Sequence, residues 1–122
     1  MMTIALEEAR LAGEQGEVPV GAVIVSSDST ILARTANRMK DLGDPTAHAE
    51  ILAIRAACAA VGAQRLDGYD LYVTLEPCPM CAQAISFARI RRLYFAAYDS
   101  KGGGVEHGPR IFHATSCHHR PE

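Results

Sequence analysis

Apolar positions recur at two different spacings along this chain, and the changes of spacing mark out seven elements. Ile4, Leu6, Ala9, Leu11 and Ala12 stand among Glu7, Glu8, Arg10 and Glu14, which predicts an amphipathic helix over residues 3–16, stopped at Gly16. The run Val18-Pro19-Val20-Gly21-Ala22-Val23-Ile24-Val25 predicts a strand buried on both faces. Ser26-Ser27-Asp28-Ser29 is turn chemistry, and Thr30–Thr35 predicts a second strand, so the two form a hairpin. A polar loop over residues 36–45 follows. Thr46 is placed to cap a helix over residues 47–61, which Gly62 ends. Asp70–Leu75 reads as a β-branched strand, Pro77 as the turn into a helix over residues 79–89, and Leu93–Ala97 as a fourth strand. Gly102-Gly103-Gly104 predicts a loop, and Ile111-Phe112 the start of one short further element.

This order, α-β-β-α-β-α-β, implies one domain over residues 1–122: a three-layer α/β/α sandwich with a mixed central sheet. Of the 122 residues 48% are apolar, and the 20 alanines point to close helix packing. No apolar run approaches the roughly 18–20 residues that span a bilayer. The early glutamates do not fit a signal peptide, and 21% charged residues do not fit wholesale disorder. The expectation is a soluble, cytoplasmic domain without a membrane partner. The net charge of −2 argues against a strongly basic nucleic-acid binder, yet it is unevenly spread. Residues 1–88 carry a net −5 and residues 89–122 a net +3, from Arg89, Arg91, Arg92, Lys101, Arg110 and Arg120. That bias could meet phosphates, or be an ordinary solvated face.

Two motifs carry candidate chemistry, and each falls at a helix start: Thr46-Ala47-His48-Ala49-Glu50 and Leu75-Glu76-Pro77-Cys78-Pro79-Met80-Cys81. Cys78 and Cys81, three residues apart, share one side of a first helical turn and can offer two thiolates to one ion. Taken alone, the Cys-x-x-Cys leaves a redox pair, a structural metal site and a catalytic metal site open. His48 alone reads as a helix-start histidine. Were it the third ligand, a zinc ion would keep its fourth position for water, which is the catalytic arrangement. Two thiolates and a neutral imidazole cancel the ion's charge, so such a site needs a base to deprotonate the water. Glu50, two residues beyond His48, fits that role. Together, His-x-Glu followed by Pro-Cys-x-x-Cys is the signature of zinc-dependent nucleobase deaminases.

On these residues the chain resembles the cytidine deaminase superfamily, and within it the bacterial tRNA-specific adenosine deaminases. The resemblance runs from about Ala5 to Arg110. It includes Glu17–Val23, Asn37-Arg38, Asp44–Ile51, Leu71–Cys78, Arg89-Ile90 and Asp99–Gly103. It implies hydrolytic deamination of adenosine to inosine at the wobble position of a tRNA anticodon stem-loop. His48, Cys78 and Cys81 would hold one Zn2+ per subunit, and zinc-bound hydroxide would attack the ring with Glu50 as proton shuttle. The Asn37 side chain and the Ala49 backbone amide would hold the flipped base, with Val20 lining the pocket. Asp99 and Lys101 would border the nucleic acid, and the subunits would pair as a homodimer. Relatives continue past the equivalent of Pro121-Glu122 into an aromatic and basic helix that grips RNA, so the chain is expected to be C-terminally shortened.

Two other functions stay in view. A deaminase of a free base or nucleoside, of guanine or cytosine type, could use the same site, and Cys78-Pro79-Met80-Cys81 is compatible with it. A non-catalytic zinc-binding or redox domain would tolerate loss of the Glu50 carboxylate. Cys117-His118-His119 is expected to be a surface tail and not a second metal site. Cys58 reads as a small core residue, and Tyr94, Phe95 and Tyr98 as core residues at the end of a strand.

Overall fold

Ala5, Ala9 and Ala12, spaced four and three apart, give the first helix a flat side that packs directly on backbone. This helix, α1 (Met2–Glu14), leads into strand β1 (Gly21–Val25) in the computed structural model, which describes all of residues 1–122. The two approach so closely that a Cβ on Gly21 would collide with the Ala5 carbonyl oxygen and lie 2.7 Å from the Ala9 nitrogen. Val18 and Val20 were expected in the strand but precede it. Pro19 interrupts the run, and regular pairing starts only at Gly21.

Strand β2 (Ile31–Ala36) closes the hairpin, with a register shift at Ile24/Val25 and Ser29 at a positive φ of 68° in the turn. A four-residue helix, α2 (Met39–Leu42), occupies the predicted polar loop. It forms because buried Glu17 accepts the Lys40 and Asp41 amides at 3.1 and 2.9 Å, a cap supplied from more than twenty residues away. Helix α3 (Ala49–Val61) starts two residues later than predicted. Thr46 does not cap it, because its hydroxyl donates to Asp44 at 2.7 Å; His48 is the N-cap. Gly62, at φ 68°, ends the helix in the left-handed conformation as expected. Then follow β3 (Asp70–Leu75), α4 (Pro79–Ala88), β4 (Arg92–Ala97) and a short 3-10 turn, Ile111–His113.

The sheet order is β2-β1-β3-β4, with β1 antiparallel to both neighbours and β3 parallel to β4. Alternation along β1 separates two cores. Ala22 and Ile24 face a large cluster with Ala49, Ala53, Ala57, Ala82 and Ile85 of α3 and α4, while Val23 and Val25 meet Ala5 of α1. Helices therefore cover both faces, as the three-layer expectation required. Full burial of Ile24, Leu71, Ile85 and Ile90 contributes about 1.5–3 kcal/mol each. The parallel β3–β4 pair is pinned at its start by a two-point ion pair from Arg91 to Asp70 at 2.9 and 2.8 Å.

The chain end is held more firmly than a free tail. Ser86 donates to the His119 carbonyl at 2.7 Å, and the His119 ring to the Ile90 carbonyl at 2.7 Å. Glu122 pairs with the outer edge of β4 through Arg91 and Leu93. Cys117, half-buried, bonds with Ser86, and Cys58 packs against the main core. Phe95 is partly buried in that core, but Tyr94 stacks on Tyr72 at 4.5 Å with much of its surface exposed. Tyr98 is 69% exposed, contrary to the core reading, because it lies just beyond the end of β4.

Candidate metal centre and active site

The crossovers of the sheet bring the N-termini of α3 and α4 together. His48 and Cys78 are the N-caps of these helices, each with extended backbone (φ/ψ −73°/153° and −70°/170°). Pro79 at the first helical position fixes the start of α4 without wasting an amide, and Cys81 follows within the first turn, fully buried. The His48 Nδ1 lies 3.6 Å from Cys78 Sγ and 3.5 Å from Cys81 Sγ. A tetrahedral zinc with ordinary Zn–S and Zn–N bonds separates its sulfur and nitrogen ligands by about 3.5 Å, so the donor set fits this ion in chemistry and spacing. These three residues form the only group of His, Cys, Asp and Glu side chains in the fold able to hold a metal. Cys117, His118 and His119 do not form a second one.

The electrostatics suit metal binding. A hydrogen bond from the Cys81 thiol, together with its amide and nearby His48, outweighs burial and brings the Cys78 thiol down to about 5. Donation to Cys78, burial and the neighbouring Glu50 push Cys81 up. An ion bound here would displace the thiol protons. Glu50 is 4% exposed; burial, reinforced by the charge at Cys78, raises its carboxyl above the ordinary range.

A cavity of about 240 Å³ opens beside this centre, bordered by Val20, Asn37, His48, Glu50, Cys78 and Asp99 among the expected residues. Larger hollows exist, including one of about 580 Å³ between α3, α4 and the chain end that His118 and His119 border, but in none do three metal-ligating side chains converge. Lys101 is exposed and does not border the cavity, although its amide bonds Asp99. The Ala49 amide is directed at Asn37 Oδ1, 2.7 Å away, and not into the open cavity. Asn37 is itself tied to the Val20 carbonyl at 3.1 Å, so these three residues form one braced unit. Val18, Met39, Leu75, Glu76 and Gly102 complete the wall and were not singled out from sequence. Leu75 and Glu76 stand inside the cysteine motif, and Val18 and Gly102 inside the segments Glu17–Val23 and Asp99–Gly103; Met39 had no such signal.

Two N-cap ligands, a third in the following turn and a buried carboxylate beside them define a zinc-binding deaminase site. Residues 1–97 match the family described as Cytidine and deoxycytidylate deaminase zinc-binding region, and the chain belongs to it. Within that class it is 62% identical to the tRNA-specific adenosine deaminase of Agrobacterium fabrum (strain C58), over 99% of this chain and 79% of that protein. It is 48% identical to the protein of that description from Rickettsia typhi (strain Wilmington), over 99% of this chain and 82% of the other. A structure solved in a study of A-to-I editing by tRNA:A34 deaminases at the wobble position of transfer RNA superposes with a TM-score of 0.97. It is 62% identical and covered to 87%, against 99% of this chain. Guanine deaminase from Bacillus subtilis superposes at 0.77 with 44% identity, over 80% of this chain and 62% of that one.

Proposed function

We propose that this chain deaminates adenosine to inosine at the wobble position of a tRNA anticodon stem-loop, acting in the cytoplasm as a homodimer. The observation that carries this reading is Glu50, a buried carboxylate sharing a base-sized cavity with a three-ligand zinc site. The likeness to wobble deaminases along nearly the whole chain supports the substrate. At about 240 Å³ the cavity is smaller than a drug-sized pocket, so it takes one flipped base and leaves the rest of the RNA outside.

His48, Cys78 and Cys81 would hold the zinc ion, which would acidify the attacking water. Glu50 would pass one proton of the attacking water to the purine ring nitrogen as the water oxygen bonds C6, then move the proton of the new hydroxyl to the amino group as the C6–N6 bond breaks and ammonia leaves. Burial suits the carboxyl to this work, since a raised pKa lets it hold a proton between the two transfers. Asn37 presents its side-chain NH2 to the base while the Ala49 amide fixes its Oδ1. Val20 lines the pocket; Asp99 borders the base and Lys101 the adjoining phosphates.

The surface offered to a second copy is α4, where Phe87 is 72% exposed beside Ile51 and Ile54 of α3. No helix is long and apolar enough to cross a membrane. The test is mass analysis of an anticodon stem-loop with a wobble adenosine, incubated with the zinc-loaded protein, with guanine, adenosine, cytosine and cytidine alongside. Inosine in the stem-loop is the expected product. Turnover of guanine alone would move the chain to the free-base branch, which its likeness to guanine deaminase keeps as the second reading.

A further inference from the structure

The loop that contributes Asp99 and Gly102 to the active-site cavity has no regular secondary structure, yet both its ends are gathered on one side chain. Glu76 Oε1 accepts the Asp99 amide at 3.1 Å and the His107 ring Nδ1 at 2.7 Å. Its Oε2 accepts the amides of Val105, Glu106 and His107 at 3.1, 2.9 and 3.1 Å. All five donors come from residues 99–107, and the side chain is wholly withdrawn from solvent. Five bonds exhaust the acceptor sites of a carboxylate, so Glu76 is free neither to ligate metal nor to move a proton. Glycines let the loop wrap this closely. A Cβ on Gly103 would lie 2.5 Å from the Asp99 carbonyl oxygen and run into the Glu76 carboxylate, and one on Gly104 would lie 2.6 Å from the Pro79 nitrogen. The Gly104 amide also bonds the Pro77 carbonyl at 2.7 Å, so the loop is fastened to the segment that presents Cys78.

We propose that Glu76 is a positioning residue for substrate: it shapes the Asp99–His107 loop into the RNA-facing wall of the pocket, and so sets affinity for the stem-loop and not the rate of the chemical step. This rests on the deaminase reading of the cavity. Carboxylate-to-backbone bonds replace the strand pairing that an irregular loop lacks, and Asp99 and Lys101 keep their places only while the loop ends stay on Glu76.

The test uses full-length, zinc-loaded wild type, Glu76→Gln and His107→Ala. Glu76→Gln is expected to raise KM for the stem-loop about tenfold with kcat within about twofold. Zinc content should stay at the wild-type value, and amide exchange over residues 99–107 should quicken at least about tenfold. His107→Ala keeps the carboxylate and four of its bonds; it should raise KM about threefold and carries the test alone if Glu76→Gln does not fold. Unchanged exchange in the loop, unchanged KM, a fall in kcat at constant KM, or loss of zinc each overturns the proposal. If wild type does not deaminate the stem-loop, the functional reading fails, while the exchange comparison still judges the loop clamp by itself.

Discussion

Replacing Glu76 with glutamine gives a stability difference that should itself depend on pH. Burial of the carboxyl works against its charge, but the bonds from His107 and from the amides of Asp99, Glu106 and Val105 prevail and hold it at about 2, against an ordinary 4.5. The folded state therefore binds this proton more weakly than the unfolded state. Its stabilisation is fully present above pH 4.5 and is lost as pH falls toward and through 2. Two and a half pH units correspond to about 3 kcal/mol at neutral pH, shrinking to roughly half of that at pH 3. Glutamine resembles the protonated acid in shape and never carries the charge. Urea titrations of wild type and Glu76→Gln, followed by circular dichroism, should thus differ by about 3 kcal/mol at pH 7 and by half of that at pH 3. Acid also weakens metal binding, but to the same extent in both proteins, so that effect cancels in the difference. A gap that stays constant from pH 7 to pH 3 would refute the reasoning, since the loss would then come from packing and not from the ionised acceptor.

Other expectations follow from the same geometry. Gly21→Ala should force α1 off the sheet and cost about 3 kcal/mol in urea unfolding, because the added methyl meets the backbone of Ala5 and Ala9 and no flexible side chain can yield; a cost under about 1 kcal/mol would mean α1 is held elsewhere. Cys81→Ser should reduce bound zinc at least about tenfold by direct metal analysis, since one of two thiolates is lost; full zinc content would exclude Cys81 as a ligand. Asn37→Ala should raise KM for the stem-loop and also cost about 1–3 kcal/mol of stability, because it leaves the buried Ala49 amide without its acceptor; wild-type values of both would exclude the bracing role.

What the sequence made legible was what local patterning and short spacing can encode. The β1–β2 hairpin, helices α3 and α4 and the order of layers follow from apolar periodicity. The metal centre follows from two motifs, one placing His48 and Glu50 and the other Cys78 and Cys81 within a helical turn of each other. The errors lie where distant residues decide. Thr46 looked like a helix cap, but Asp44 claims its hydroxyl and His48 takes the N-cap place. Helix α2 is too short to show a period and depends on Glu17, which is remote in sequence. Val18 and Val20 looked like strand, yet β1 begins where the absence of a side chain on Gly21 admits α1. Glu76 stood in plain view beside Cys78, but its five partners come from a stretch without pattern. The Ala49 amide, expected to face the base, shows how a hydrogen bond twelve residues long can redirect a group that sequence places correctly.

The central claim is that Glu50 moves the protons of a zinc-dependent deamination. Its most direct test is deamination of the wobble-adenosine stem-loop by zinc-loaded wild type and Glu50→Gln, with zinc measured on the same samples. Wild type should produce inosine, and Glu50→Gln should keep its zinc while losing at least about a thousandfold in rate. A Glu50→Gln protein that deaminates at the wild-type rate would contradict the account.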